Sequence, residues 1–142
     1  MSARGYVLFD HTADIGVRAR GRTREELFAH AAQGLMAAVA DLRGVREATS
    51  RELDAIAFPE ADDAELLVTF LQEVLYASSV ERLLFRRFEV SFPEAGRATA
   101  RAHGEPISRR HRVLREVKAV TYHRARVERT ASGFRGAVIL DI

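Results

Sequence analysis

The feature that most constrains the fold is a polar run inside an otherwise apolar, extended stretch near the start of the chain. Residues 10–16 read Asp-His-Thr-Ala-Asp-Ile-Gly and are flanked by the apolar runs 6–9 and 15–19. Unpaired carboxylates buried in a strand cost several kcal/mol. The run therefore cannot lie in the middle of one buried strand without compensation. It predicts two halves of a strand, or two strands that meet at a bend.

The alternation of residues 17–20 predicts which side chains of this stretch point away from the core. Two apolar residues alternate there with two arginines, the pattern of a strand with one solvated face. Asp14 and Gly16 fall on the same side as the arginines. We therefore expect the second carboxylate of the polar run to face outward.

Two amphipathic helices are predicted, each beginning with a capping box. The boxes pair Thr23 with Glu26 and Asp62 with Glu65. Apolar residues recur at helical spacing over 24–42 and over 63–78. One face of each helix should therefore belong to the core.

Extended patterns occupy most of the remaining chain. They cover residues 51–58, 87–92, 97–103, 116–129 and 134–142, and the stretch 104–115 is predicted to be a loop. We expect a single α+β domain over residues 1–142, with a mixed, mostly antiparallel sheet of about six or seven strands packed by two helices.

Composition excludes several classes of protein. With 0 Cys the chain has no disulfide, thiolate zinc site or cysteine nucleophile. No apolar run approaches the ~18 residues of a membrane span, and the first residues lead directly into a strand rather than a secretory leader. A net charge of +2 does not by itself indicate a nucleic-acid binder. We expect a cytoplasmic protein.

The last residues are the second unusual feature. Residues 138–142 are apolar except for Asp141, so a strand that ends the chain would fix the α-carboxylate of Ile142 next to the Asp141 carboxylate. If the first strands lie beside the last, Asp14 can join them. Three oxygen groups suit Ca²⁺ or Mg²⁺ better than zinc. The alternative is that Asp141 only keeps a sheet edge soluble.

Asp10 and His11 suggest a hydrolase, with His11 as metal ligand or general base. The alternative is a structural hydrogen bond between neighbours. The chain contains no Gly-x-Ser-x-Gly elbow and no glycine-rich phosphate loop. The other histidines are scattered, without the spacing of a zinc site. Independent catalysis is therefore the weaker interpretation.

The basic residues are mostly arginine. Lys118 is the one lysine among 22 basic residues, which suggests a position where a compact ammonium is needed, or chance. The basic stretch 108–115 offers groups for RNA phosphates but lacks interleaved aromatic residues, so a solvated loop is the favoured interpretation.

Residues 10–16, residues 116–123 (Glu-Val-Lys-Ala-Val-Thr-Tyr-His) and the final Asp141-Ile142 together resemble the archease family. The order of elements is also similar, with a first helix carrying Glu25, Glu26 and Phe28 and a second helix ending near Tyr76. The resemblance covers essentially the whole chain. No motif of the family falls on the loop 104–115.

The resemblance implies a small α+β protein without ligase activity of its own that activates an RtcB-type RNA ligase in tRNA splicing and RNA repair. Activation implies guanylylation of the ligase's active-site histidine from GTP and multiple turnover. The implied metal ligands are Asp14, Asp141 and the carboxylate of Ile142, with Ca²⁺ as the metal and Mg²⁺ or Mn²⁺ as alternatives. The implied partner-facing or site-shaping residues are Asp10, His11, Thr12 and Lys118.

Two other classes of function remain open. One is a stand-alone metal-dependent phosphoesterase; the other is a general chaperone or RNA-binding module. For the ligase activator we expect indirect or weak RNA contact, no membrane contact, and a monomer or small oligomer.

Overall fold

A computed structural model describes residues 4–11 and 13–142; for His11 it describes the backbone alone. These described residues form seven strands and two helices. The strands are β1 Tyr6–His11, β2 Asp14–Gly21, β3 Thr49–Ile56, β4 Leu83–Ser91, β5 Arg97–Pro106, β6 Ala119–Thr130 and β7 Gly133–Asp141. The helices are α1 Arg24–Val39 and α2 Asp63–Glu81, with a short 3-10 turn at Leu42–Gly44.

The α+β class, the two helices and the number of strands are confirmed, but the strands divide into two sheets rather than one. The four-stranded sheet has the order β1-β2-β7-β6 and the three-stranded sheet the order β3-β5-β4. All their pairings are antiparallel. The polar run is therefore divided between two paired strands, with Asp10 near the end of β1 and Asp14 at the start of β2.

The division follows from how completely the helices are buried. α2 buries Leu66, Leu67 and Val68 in succession, so its apolar surface extends beyond one narrow stripe. Such a helix needs apolar neighbours on more than one side. α1 packs against β2 and β4, and α2 packs against β6 and β3, so each helix contacts both sheets. One face of each sheet is turned toward the helices and the other toward solvent.

Aromatic residues occupy the core between the helices. The Phe28 ring of α1 lies 5.7 Å from that of Phe70 in α2, centroid to centroid, and 4.9 Å from that of Phe92, which meets it edge-on. Both Phe28 and Phe70 are fully buried. Edge-to-face and tilted pairs of this kind add to the stabilisation from burial alone.

The helix ends agree only in part with the predictions. The Asp62–Glu65 box at α2 is complete. At α1 the Thr23 hydroxyl accepts the Glu26 N–H at 3.1 Å, but the Glu26 carboxylate accepts the N–H of Arg22 rather than that of Thr23. The predicted box is therefore half formed. α1 also ends at Val39 instead of 42, because Ala40 is extended and bridges to Val113.

The predicted loop 104–115 is shifted toward the C-terminus. β5 continues to Pro106, and β6 begins only at Ala119, three residues later than the alternation suggested. β6 also carries a register irregularity between Thr121 and Arg126, where Arg124 has a φ of 56°. A bulge of this kind on an edge strand interrupts the row of free backbone groups.

Candidate functional site: a carboxylate pair at one end of the four-stranded sheet

The pairing of β2 with β7 brings the two ends of the chain together. Ile15 lies opposite Leu140, so the next position along the ladder places Asp14 beside Asp141. Side chains directly opposite each other on antiparallel strands have Cβ atoms about 5 Å apart. The expectation that the first strands lie beside the last is therefore confirmed. Two carboxylates separated by most of the sequence become neighbours.

β6 completes this end of the sheet on the other side of β7. Ala119 pairs with Asp141, and the backbone N–H of Lys118 donates to the Asp141 carbonyl at 2.7 Å. Asp141 is thus held between two strands instead of fraying. The Lys118 side chain is exposed. Its backbone position immediately beside Asp141 fits the predicted site-shaping role, which stays a prediction.

The exposure of the pair is suited to a ligand from solvent. Asp14 is half-buried and Asp141 exposed, and Ile142 is 36% exposed. Carboxylate oxygens fixed on a rigid sheet are ligands that Ca²⁺ and Mg²⁺ prefer. Among the described residues, no group of three or more His, Cys, Asp or Glu side chains is arranged to hold a metal ion. The predicted trio differs from such a group, since its third ligand is the carboxylate of Ile142.

Asp10 does not share a face with Asp14, whereas His11 lies directly opposite Asp14 in the ladder. Asp10 pairs with Ile15, whose side chain is buried toward the helices, so Asp10 belongs to the opposite face of the hairpin from Asp14. Asp10 is nevertheless exposed at the end of the sheet. Thr12 and the side chain of His11 lie outside the described residues. The roles assigned to these three residues therefore stay predictions.

An aromatic ring covers the outer face next to the pair. Gly16 follows Asp14 by two residues on the same face, and a Cβ at Gly16 would lie 2.0 Å from Cζ of Phe9. The Phe9 ring therefore lies directly over the glycine. The guanidinium of Arg18 lies over the same ring, 4.1 Å from its centroid. Glycine is needed at this position for the space that the ring fills, not for an unusual φ.

The basic loop is held by a cluster that the sequence patterns did not reveal. Glu105 accepts the N–H of Arg46 at 2.7 Å, pairs with Arg110, and contacts Nε2 of buried His111 at 2.9 Å. The Arg46 N–H, then His111 and Arg110, lower the pKa of Glu105 to about 2.

Arg115 is also used internally. Its guanidinium donates to the Ala38 carbonyl at 2.7 Å. The interpretation of 108–115 as a merely solvated loop is therefore wrong for Arg110 and Arg115. The one signal available in the sequence was a histidine, His111, flanked by two arginines.

The arrangement defines a class of small α+β protein: two antiparallel sheets enclosing two helices, with a carboxylate pair at one sheet end. A family model described as the Archease protein family matches residues 6–142. The archease of Methanosarcina barkeri is 38% identical, with 100% of each chain covered. That of Thermococcus gammatolerans is 40% identical over 88% of this chain and 89% of its own. The chain therefore belongs to the archease family.

Solved structures agree with this assignment. The solution structure of Methanobacterium thermoautotrophicum protein 1598 matches with a TM-score of 0.81 and 33% identity, covering 98% of this chain and 99% of that one. A Thermotoga maritima archease described as a possible chaperone matches with a TM-score of 0.59 and 19% identity, covering 94% of each chain, and shows the fold alone. No helix in the described part of the chain is long and apolar enough to cross a membrane.

Proposed function

We propose that this protein activates an RtcB-type RNA ligase by presenting a metal-binding carboxylate site to it. Activation consists of promoting transfer of GMP to the ligase's histidine and supporting multiple turnover in tRNA splicing and RNA repair. The protein itself is an activator rather than a catalyst. Membership in the archease family supports this proposal, and the observation that carries it is the β2–β7 register that makes Asp14 and Asp141 neighbours.

The proposed ligands are the carboxylates of Asp14 and Asp141 and the α-carboxylate of Ile142. All are hard oxygen donors, and the two side chains project from one end of a hydrogen-bonded sheet, so the donor set fits Ca²⁺, with Mg²⁺ or Mn²⁺ as alternatives. A divalent cation bound there supplies positive charge that offsets the negative charge of nucleotide phosphates.

The protein's own contribution is to hold the two carboxylates in a fixed position. Asp141 is fixed by the Lys118 N–H and by pairing with Ala119, so the carboxylate pair keeps its place when the sheet end meets a partner. The Lys118 backbone lies next to Asp141 and its side chain is exposed, so the ammonium is available to a phosphate or to a carboxylate of the ligase. Asp10 and the backbone of His11 belong to β1 of the adjoining hairpin, and we propose that Asp10, His11 and Thr12 contact the ligase or shape this surface.

The test is guanylylation of the cognate ligase by labelled GTP, with and without this protein. Asp14→Asn and Asp141→Asn remove a charge while keeping size, so each variant should lose most of the stimulation. Glu60→Gln is the matched control, because Glu60 is an exposed carboxylate in the turn that precedes α2 and belongs to neither β2 nor β7. Extension beyond Ile142 should also reduce stimulation, since it removes one carboxylate without altering a side chain. Thermal unfolding followed by circular dichroism checks that the variants fold.

Other outcomes would redirect the assignment. Normal stimulation by either Asp variant would rule out the carboxylate mechanism. Hydrolysis of phosphoesters by the purified protein with Mg²⁺ or Mn²⁺ would indicate a phosphoesterase. Suppression of aggregation of unrelated proteins, with no effect on the ligase, would indicate a general chaperone.

A further inference from the structure

The outer faces of the two sheets differ in how their arginines are neutralised. On the three-stranded sheet three outward arginines pair with carboxylates, and a fourth, Arg86, donates to the Val45 carbonyl at 3.1 Å. The pairs are Arg87 with Glu47 at 2.9 Å, Arg97 with Asp54 at 2.8 Å and Arg101 with Glu52 at 2.5 Å. This face is therefore balanced in charge and offers little attraction to a polyanion.

The four-stranded sheet carries a different pattern on its outer face. Arg18 of β2 and Arg126 of β6 both lie opposite Ala137 of β7, so the three residues form one row across the sheet. In the next row Arg20 and Glu128 both lie opposite Arg135. We name these two rows, containing Arg18, Arg20, Arg126 and Arg135, the arginine face.

Among the described residues, Glu128 is the one acidic side chain in the two rows. It pairs with Arg135 at 2.8 Å. Arg18 lies over the Phe9 ring instead of a carboxylate. Arg126 is exposed and forms no ion pair with the described residues, although its charge, after that of Arg135, helps to lower the pKa of Glu128. The two rows together carry four positive charges and one negative charge. The excess is concentrated at Arg18 and Arg126.

The spacing of these groups is set by the sheet. Neighbouring strands are about 4.8 Å apart and residues two apart along a strand about 6.6 Å, so Arg18 and Arg126 are about 10 Å apart at their Cα atoms. Planar guanidinium groups on a rigid sheet bind phosphate oxygens in a bidentate manner. Asp14 and Asp141 lie beyond the row of Arg18, and without a bound cation they repel phosphates and confine an anion to the arginine rows.

We infer that the arginine face binds the sugar–phosphate backbone of single-stranded RNA. The choice of RNA among polyanions rests on the proposed function, while the phosphate chemistry rests on the arginine rows alone. Binding is independent of sequence, because among the described residues the two rows carry no aromatic side chain free to stack on a base, the Phe9 ring being covered by Arg18. The face then holds an RNA strand on the same side of the sheet as the carboxylate pair.

The test measures fluorescence polarisation of a labelled single-stranded RNA of about 16 nucleotides. Titrations run between about 50 and 200 mM salt, without ligase. The variant Arg18→Gln/Arg126→Gln should weaken binding at least about tenfold. Each lost phosphate contact lowers the salt slope by about 0.7, so the double variant should lower it by about 1.4. Arg18→Lys/Arg126→Lys keeps the charges and should retain most of that slope.

The matched control is Arg97→Gln/Arg101→Gln, which removes the same charge from the other outer face. It should change RNA affinity by less than about twofold, because surface ion pairs of this kind contribute little and their arginines are already neutralised. Equal weakening by both double variants, or no RNA binding by the wild type at low salt, would overturn the inference. Tighter binding of poly-glutamate than of RNA would overturn it in favour of an acidic protein partner. Because no ligase is present, these results are separate from the fate of the proposed function.

Discussion

Gly16→Ala tests the packing that adjoins the carboxylate pair, and its effect should depend on Phe9. An alanine Cβ would lie 2.0 Å from Cζ of Phe9, and the three nearest atoms all belong to that ring. Carbon atoms in contact are about 3.5–4.0 Å apart, so the ring must move away. The guanidinium of Arg18, 4.1 Å from the ring centroid, then loses its aromatic partner.

The expected change in the free energy of unfolding follows from the contacts that the Phe9 ring loses. Full burial of a Phe side chain contributes about 1.5–3 kcal/mol, and Phe9 is half-buried, so displacement costs about 1–1.5 kcal/mol. The exposed cation–π contact adds about 0.5–1 kcal/mol. Replacing glycine within a strand by alanine stabilises the folded state by about 0.5–1 kcal/mol, because glycine loses more backbone entropy on folding. Gly16→Ala should therefore destabilise the wild type by about 0.5–2 kcal/mol.

In a Phe9→Ala background the effect of Gly16→Ala on the free energy of unfolding should change sign. With the ring gone, the new Cβ has space, and Gly16→Ala should stabilise by up to about 1 kcal/mol. Urea unfolding followed by circular dichroism gives the four free energies of the cycle. Gly44→Ala is the control, because nothing lies within 4 Å of a Cβ there, and its effect should be the same in both backgrounds. An equal cost of Gly16→Ala with and without the Phe9 ring would refute this reasoning.

Three further perturbations have defined outcomes. Asp62→Ala removes the complete capping box of α2 and should cost about 0.5–2 kcal/mol in urea unfolding, with Glu60→Ala unchanged. Phe28→Ala removes a fully buried ring that meets Phe92 at 4.9 Å, and should cost about 3–5 kcal/mol by calorimetry. The pKa of Glu105 is lowered from 4.5 to about 2, so its contribution to stability is present above its unfolded pKa and lost as the pH falls toward 2. The free energy of unfolding, measured across that pH range, should fall less steeply for Glu105→Gln than for the wild type. Parallel curves for the two proteins would contradict the assigned role of Glu105.

Local patterns in the sequence were sufficient for much of the fold. Period-two alternation placed Arg18 outward and Val17 toward the helices, and the structure confirms both. The complete capping box at Asp62 was also predicted, because it involves residues three apart. These features depend on neighbours along the chain and are therefore visible in one sequence.

Features that depend on distant pairing were predicted only conditionally or not at all. Whether Asp14 meets Asp141 depends on β2 lying beside β7, which no alternation specifies. The division into two sheets depends on how far the buried surface extends around α2, and helical periodicity alone does not fix that extent. Glu105 and His111 were missed, since a loop contact leaves no periodic signal. The outward position of Arg126 was not predicted for another reason. The irregularity in β6 moves Arg126 to the face opposite the one that simple alternation from Thr121 would give.

The order of strands in the four-stranded sheet has a consequence for synthesis of the chain. β1 and β2 are made first, yet they connect to β6 only through β7, which is made last. The strands of the other sheet, β3, β4 and β5, all emerge earlier and can pair before β7 exists. Pairing between positions so far apart in sequence is slow, because closing the long intervening loop costs conformational entropy before the contacts between the strands form. The first hairpin therefore forms without its neighbour, and the Asp14–Asp141 pair forms only when β7 docks. If the proposed metal site is correct, metal affinity at that sheet end should report docking of β7, separating molecules that have closed the four-stranded sheet from those that have not.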